Sequence, residues 1–580
     1  ALVRDALAAG VAITLDAEES WRLELQLLVL DRLLAALAGT DAIDQTRPLL
    51  GLAVQAYQHR APEVIDEVAR LARLHGRVLA VRLVKGAYWD SEIKRAQELG
   101  LPGFPVFTLK SHTDLSYLAC AQALLTHPAW LRPQFATHNA TTVAAVMQLA
   151  ARQGLRPSQI EWQRLHGMGE ALWREILADP EVTRDGGPTL RIYAPVGSHR
   201  DLLAYLVRRL LENGANASFI HQLADPAVAL DALLSSPLLS GPEPRSVRLP
   251  AGLYGEGRAN ARGLDLNHQA HRRALGTAWA ATSAAQAEPV RPLQPTEASC
   301  LMHTLNQGAE RWGRRSLDDR CAILERCAER LEHELESWAA DLVAEAFKTW
   351  PDAVAEVRET IDYARYYARQ AREWLAPRPL PGPTGESNEW RLRPRGVWVC
   401  IAPWNFPLAI FGGQLMASLA SGNAVAAKPA PQTPRIAARW VALLHELGVP
   451  ADALACAPGG AEIGEALVGH PACAGVAFTG SVATARRIQQ VLASREDGPL
   501  IPLIAETGGI NALIADSSAL PEQLIDSVLV SAFGSAGQRC SALRLLCVHS
   551  AMAHELELLL EGALQTLVLG PASAWSTDVG

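Results

Sequence analysis

The stretch "GSAGQRCSAL" (534–543) sets Cys540 between an arginine and a serine, behind residues with almost no side chain. Backbone amides can come close to whatever such a thiol attacks, which suits a nucleophile; a thiol in a loop by chance is the ordinary alternative. Two other stretches carry groups that would complete a site. "APWNFP" (402–407) puts Asn405 just after an apolar strand, between prolines that stiffen the turn, and an amide NH2 held there suits an oxyanion hole. "AETGG" (505–509) puts Glu506 at a strand end, where a carboxylate can activate water, the better for partial burial. A helix beginning near Cys540 would favour the thiolate through its exposed amides and dipole. Nucleophile, stabiliser and base are the set needed to form and then hydrolyse a thioester. Singly each has a plainer reading: Asn in a turn is commonly a cap, and a strand-end Glu is commonly solvated. Lys428 in "AAKPAPQTP" either grips a ribose or phosphate or is simply exposed. Ser481 in "FTGS" either marks an anion site for a pyrophosphate or caps the helix that follows.

The first part of the chain offers a second group. In "VRLVKGAYWDSEI" (81–93), Arg82 breaks an apolar strand pattern, and Lys85, Tyr88 and Trp89 follow. A strand-end salt bridge with aromatic packing would also produce this. "YLVRRLLENGAN" (205–216) is helical, with Arg208 and Arg209 about 100° apart on its surface and Arg208 within reach of Glu212. Paired guanidinium groups clamp a small carboxylate; a solvated helix face is the alternative. His138 in "ATHN" and His166 in "LHGMGE" sit at strand ends, where each serves a ligand or its own backbone.

Residues 1–222 alternate short apolar runs with amphipathic patterns. Strands are expected at 10–18, 51–57, 77–86, 133–139, 161–167 and 189–197, each followed by a helix. That rhythm predicts a parallel sheet with right-handed crossovers. In a barrel the working residues lie at strand C-terminal ends, where Asp16, Lys85, His138, His166 and Tyr193 recur. Fewer than eight strands are visible and the chain opens in a helix, so N-terminal strands are expected to be missing. Residues 223–299 read as a Pro- and Ser-rich connecting region. Residues 300–580 begin with amphipathic helices. Strands then follow at 396–402, 423–428, 453–458, 475–480, 501–506 and 511–515, predicting one open doubly wound sheet without a G-x-G-x-x-G turn.

The chain has 580 residues, 49% of them hydrophobic, and a formal charge of -8 with both signs spread throughout. Such a field does not attract nucleic acid, and no metal-ligand spacing stands out. Nine cysteines without CxxC spacing make no disulfide framework and favour a reducing, cytoplasmic setting. The opening "ALVRDALAAG" is no signal peptide. The uncharged run 408–427 contains Gln, Asn and glycines and reads as a core helix followed by a strand, not a membrane span.

"IAPWNFPL", "GNAVAAKPAPQTP", "VAFTGSVATARRI", "ETGGINALI" and "GSAGQRCSALR", in that order, resemble successive motifs of the aldehyde dehydrogenase superfamily. The resemblance implies that Cys540 attacks an aldehyde, that Asn405 and the Cys540 amide hold the oxyanion, and that Glu506 activates water. It implies NAD at Ile401, Pro403, Trp404, Phe478, Thr479 and Gly480, with Lys428 on the adenosine ribose and Ser481 at the pyrophosphate. Phe347 stands where that family usually has glycine, which bears on local packing. The family continues beyond the point where "STDVG" ends this chain, so a C-terminal part is expected to be missing. "QAYQHR", "RLVKGAYWDSEIKRAQ", "FATHNATT", "LHGMGE" and "IYAPVGSHRDLLAYLVRRLLENGANASFI" resemble proline dehydrogenase. That implies FAD lined by Gln55, Arg82, Val84, Gly86, Trp89, His138 and Glu212. It also implies Arg208 and Arg209 on the proline carboxylate, Tyr193 and Tyr205 as pocket walls, and Asp16 nearby.

The two on one chain resemble the bifunctional proline utilization A family. The expected fold is α/β: a (βα)8-type flavin barrel followed by a doubly wound Rossmann-like domain. The expected function is oxidation of L-proline to Δ1-pyrroline-5-carboxylate with FAD, then of glutamate semialdehyde to L-glutamate with NAD, with channelling of the intermediate. Electrons would pass to a membrane quinone during reversible, peripheral contact of a cytoplasmic protein with the inner face of the cell membrane. A homo-oligomer stays open. So do two other readings: a monofunctional aldehyde dehydrogenase with a scaffold half, and a catalytically incomplete regulatory or assembly fragment.

Overall fold

A computed structural model of the chain describes residues 2–37, 48–183, 186–198, 202–203, 207, 247–285 and 289–580. They fall into two compact units, Ala1–Pro250 and Ala251–Gly580.

The first unit contains all six expected strands: β1 (Ile13–Leu15), β2 (Leu50–Gln55), β3 (Leu79–Val84), β4 (Leu131–Ala136), β5 (Glu161–Leu165) and β6 (Thr189–Tyr193). They pair in parallel in sequence order, β1-β2-β3-β4-β5-β6. Side chains alternate across a strand, and the two sets here are chemically distinct. Leu52, Val54, Leu79, Val81, Leu83, Leu131, Phe135 and Trp162 share one core with the helices Ala61–Leu74, Lys110–Leu125 and Ala140–Arg152. The opposite set includes Gln55, Arg82, Gln134, Glu161, Gln163 and Arg191. Helices packed on one apolar face, with consecutive strand order, curl a sheet towards a barrel whose inner face is the polar one. Glu161 anchors that face: its carboxylate accepts hydrogen bonds from Gln134 (3.0 Å), Gln163 (2.8 Å) and Arg191 (2.8 and 2.9 Å). Burial alone would raise the Glu161 pKa, but these donors, Arg191 foremost, bring it below the ordinary range.

The second unit is wound differently. Its main sheet has the order β11-β10-β9-β12-β13, all parallel, from β9 (Val397–Ile401), β10 (Ala424–Lys428), β11 (Leu454–Cys456), β12 (Cys473–Gly480) and β13 (Leu503–Thr507). The chain starts in the middle at β9, moves outward to β11, then returns to the other side through β12. Both faces are therefore covered. Cys400, Val425 and Ala427 pack towards Leu317–His333, Trp350–Leu375 and Ala409–Ala420. Val397, Val399, Ala424 and Ala426 pack towards Pro295–Arg314, Ala461–Gly469 and Val482–Ala493. The run 408–427 is a buried helix and a strand, as expected, and among the described residues no helix is long and apolar enough to cross a membrane.

Three expectations need correction or addition. "NALIA" is a strand, β14 (Asn511–Ala515), but it does not extend the main sheet. It pairs in parallel with β15 (Leu543–Val548), a strand not anticipated, under Pro521–Phe533 and Ala553–Leu564. An apolar run identifies a strand but not its neighbour. Within the span expected to be connecting, Gln269–Ala284 is a helix with Leu275 in the core of the second unit. A short hairpin, β7 (Arg378–Leu380) with β8 (Asn388–Trp390), precedes the main sheet.

Candidate active sites

The β9/β12 reversal leaves a crevice beyond the strand C-terminal ends, where an open α/β sheet binds ligands. A cleft of about 1180 Å3 opens there, and Asn405, Glu506 and Cys540 all line it, from three separate segments. Pro403, Trp404, Phe478, Thr479, Gly480 and Ser481 are on the same wall; Ile401 and Lys428 are not.

Cys540 is exposed in a turn, and no helix begins there. The preceding helix, Pro521–Phe533, ends earlier, and the short 3-10 turn Gly534–Gly537 lies between it and Cys540. The favourable helix N-terminus expected for the thiol is thus corrected: what positions Cys540 is a tethered loop. Ser535 (φ 55°), Ala536 (φ 54°) and Gly537 (φ 67°) are successively left-handed, a conformation that costs L-residues about 1–2 kcal/mol each. Small residues are needed at this bend, and a Cβ on Gly537 would stand 2.8 Å from the Ala532 carbonyl oxygen. Four side chains then tie the loop down. The Asn405 amide donates to the Gln538 carbonyl (2.5 Å). Asn511 Nδ2 donates to the carbonyls of Cys540 (2.7 Å) and Ala542 (3.0 Å). Arg544 donates to the Gly537 carbonyl (2.6 Å), and Arg539 to Asp352 (2.5 Å). Asn405 has a second amide hydrogen, so it can brace the loop and still face an oxyanion.

Glu506, on β13, is exposed rather than partly buried. Its strand forms the sheet edge, so the partial burial that would favour a base is not provided. Lys428 resolves the other way: it is buried, and its ammonium donates to the carbonyls of Gly459 (2.9 Å) and Pro429 (3.3 Å). Desolvation holds its pKa below the usual lysine value. Ser481 caps Val482–Ala493, accepting from Thr484 N at 3.2 Å.

Sequence reasoning missed the supports behind the cleft. Glu356, wholly buried on Trp350–Leu375, accepts from the backbone N–H groups of Leu408 (2.8 Å) and Ala409 (3.1 Å) at the start of Ala409–Ala420. Lys348 neutralises it at 2.8 Å and lies 3.9 Å from the Phe406 ring centroid. In sequence a buried glutamate in an amphipathic helix looks like any solvated one. Asn511, following two glycines at a strand start, was the more visible signal.

A dinucleotide fits this cleft. Gln414 Oε1 and Trp398 Nε1, both of residues on its wall, are buried without a hydrogen-bond partner, although Gln414 Nε2 is committed to Thr479 (3.0 Å) and the Ile401 carbonyl (3.3 Å).

In the first unit, strand ends bring Asp16, Arg82 and Tyr193 together. Arg82 lies 3.6 Å from the Asp16 carboxylate and 5.9 Å from the Tyr193 ring centroid. Its Nε is buried without a partner, an orphaned donor on the polar face that suits a cofactor with ring-nitrogen and carbonyl acceptors, such as a flavin. Gln55 spans two backbones, donating to the Glu18 carbonyl (2.7 Å) and accepting from Ala87 N (3.1 Å). Gly86 has φ 146°, and a Cβ there would meet the Tyr57 ring at 2.4 Å. Val84 is half-buried on β3, and Trp89 donates its indole N–H to the Phe107 carbonyl at 3.0 Å. Lys85 pairs with Asp114, the plainer strand-end reading. His138 Nε2 accepts from Leu165 N at 3.3 Å, a backbone tie; His166 is exposed. Tyr205, Arg208, Arg209 and Glu212 lie outside the described residues.

Residues 1–222 match the family model of proline dehydrogenase, and residues 284–580 that of the aldehyde dehydrogenase family. The chain is 46% identical over 618 aligned positions to the bifunctional protein PutA of Escherichia coli (strain K12), covering 98% of this chain and 45% of that protein. A crystal structure of Bradyrhizobium japonicum proline utilization A (mutant D779W) superposes with a TM-score of 0.90 at 49% identity, covering 100% of this chain and 58% of that one. The protein of that name from Bdellovibrio bacteriovorus gives 0.91 at 30% identity, covering 100% and 62%. The chain spans about half the length of the curated relatives it matches.

Proposed function

Because the chain belongs to the aldehyde dehydrogenase family and carries a proline dehydrogenase domain ahead of that region, we propose that it serves the two-step oxidation of L-proline to L-glutamate. The observation that carries this reading is the convergence of Cys540, Asn405 and Glu506 on one cleft, on the same chain as a polar sheet face holding Arg82, Asp16 and Tyr193. We assign residues 1–222 to the first reaction and 300–580 to the second, with 223–299 between them.

In the first reaction proline loses a hydride from the ring carbon that becomes the imine and a proton from nitrogen. FAD would supply a hydride acceptor able to pass electrons singly to a membrane quinone. Gln55, Arg82, Val84, Gly86, Trp89, His138 and Glu212 would hold the flavin. Arg208 and Arg209 would pair with the substrate carboxylate, between Tyr193 and Tyr205 and near Asp16. Water opens the imine to glutamate semialdehyde. In the second reaction the Cys540 thiolate adds to the aldehyde carbon, and the alkoxide is held by the Asn405 amide and the Cys540 N–H. NAD would supply the acceptor for the hydride on this carbon, whose loss leaves a thioester on Cys540. Glu506 takes a proton from water, which attacks the thioester; glutamate leaves and the thiol is restored. Trp404, Thr479 and Ser481 would line the nicotinamide and pyrophosphate ends. Cytoplasmic residence, reversible membrane contact and self-association belong to the same reading.

Cys540→Ala should abolish NADH formation from pyrroline-5-carboxylate while leaving proline:dye reductase activity intact. Loss of both activities, or retention of both, would refute this division of labour.

A further inference from the structure

The helix Trp350–Leu375 reaches both halves of the thiol chemistry from one face. Asp352 sits in its first turn, where free N–H groups and the helix dipole favour a carboxylate. One carboxylate oxygen accepts from Arg539 (2.5 Å) and the other from the Thr349 hydroxyl (3.2 Å); the Asp352 side chain is 14% exposed. One turn on, Glu356 holds Leu408 and Ala409. The loops so gripped are themselves joined by Asn405 and the Gln538 carbonyl. Arg539 immediately precedes Cys540, and the Ser535–Gly537 bend before it is left-handed, so the loop relies on outside anchors to keep its course. An exposed ion pair contributes little. This one is largely covered and bonded at both oxygens.

We propose that Asp352 is a positioning residue for the nucleophile: by holding Arg539 it fixes where the Cys540 thiol stands relative to the Asn405 amide. The inference rests on the reading of Cys540 as the nucleophile. Asp352 is on the wall of the same cleft, but the role assigned to it is to act through Arg539. Its effect passes through one guanidinium and one peptide unit, and a displacement of about 1 Å at a reacting atom costs on the order of a hundredfold in rate.

The test uses the whole protein and two readouts. Iodoacetamide labelling, followed peptide by peptide, gives the alkylation rate of Cys540 relative to the exposed Cys300, with buried Cys400 reporting on the fold. Steady-state aldehyde oxidation gives kcat and KM separately. Asp352→Asn should change the Cys540/Cys300 ratio several-fold and lower kcat by about tenfold to a hundredfold, with KM for NAD unchanged and Cys400 still protected. Asp352→Glu should restore most of the loss. Arg539→Gln should reproduce it, and the double variant should fall no further than either single one. A wild-type labelling ratio with wild-type kcat overturns the proposal. So does reactivity gained equally at Cys400, which would make the residue merely structural, and so do additive losses in the double variant. If Cys540→Ala keeps aldehyde oxidation, it is the reading of Cys540 that fails, whatever the Asp352 variants do.

Discussion

Lys348→Met isolates the buried pair that supports the amide loop. Methionine keeps the length and apolar stem of lysine but removes the charge, leaving the Glu356 carboxylate, 0% exposed, without its cation. Breaking a buried pair by removing one partner costs about 3–5 kcal/mol, against about 0–1 kcal/mol for a surface pair. The two backbone donors from Leu408 and Ala409 remain and keep the cost towards the lower end. The loss of the ammonium above the Phe406 ring (3.9 Å) adds about 0.5–2 kcal/mol. A net of about 3.5–5 kcal/mol is expected, concentrated where Glu356 bonds the start of Ala409–Ala420. Because about 1.4 kcal/mol is a factor of ten, amide hydrogen exchange across 406–420 should accelerate roughly a hundredfold or more. Peptides from the first unit should not change. Glu356→Gln added to Lys348→Met removes the stranded charge, keeps an acceptor for the two N–H groups, and should recover most of the protection. If Lys348→Met leaves exchange within a few-fold of wild type, or if the double variant is worse than the single one, Glu356 is not held as described.

Three other outcomes follow from named positions. Phe347→Gly should stabilise the second unit by about 0.5–1 kcal/mol, since φ 54° costs an L-residue about 1–2 kcal/mol and the flexibility of glycine returns about 0.4–1; a lower urea midpoint would contradict this. Gly537→Ala should remove aldehyde oxidation, because its Cβ meets the Ala532 oxygen at 2.8 Å in a left-handed residue, whereas Gly562→Ala, with nothing within 4 Å, should leave it unchanged. In the first unit, the lowered Glu161 pKa means the unfolded chain binds the extra proton. Stability is then full above the ordinary glutamate value and falls as pH drops below it through the folded-state value. Glu161→Gln should flatten that slope in pH-dependent unfolding; an unchanged slope would assign it elsewhere.

The elements were legible wherever apolar periodicity alone decides. β9 to β13 read directly as apolar runs, because strands covered by helices on both faces carry little else; β1 to β6 read from apolar residues alternating with polar ones and from the helical patterns between them. Partnership was not legible: β14 has the same apolar character as β13, and only the crossover through Pro521–Phe533 decides that it joins β15. Of the cleft, Cys540, Asn405 and Glu506 were visible because each sits in one of several motifs that follow one another in order, although each taken singly has a plainer reading. Lys348, Asp352 and Glu356 were not, because their work depends on burial and on groups far along the chain. Phe347 stood out in sequence only as a missing glycine; its left-handed φ gives the reason.

The bend at Ser535 and Ala536 has a consequence for chirality. Those two residues hold torsions that are at ease in the mirror-image series. A semisynthetic chain carrying D-alanine at 536 should therefore hold the thiol loop more firmly than the natural L-residue does, while a β-branched L-residue such as valine should open it. At that spot handedness matters more than side-chain chemistry.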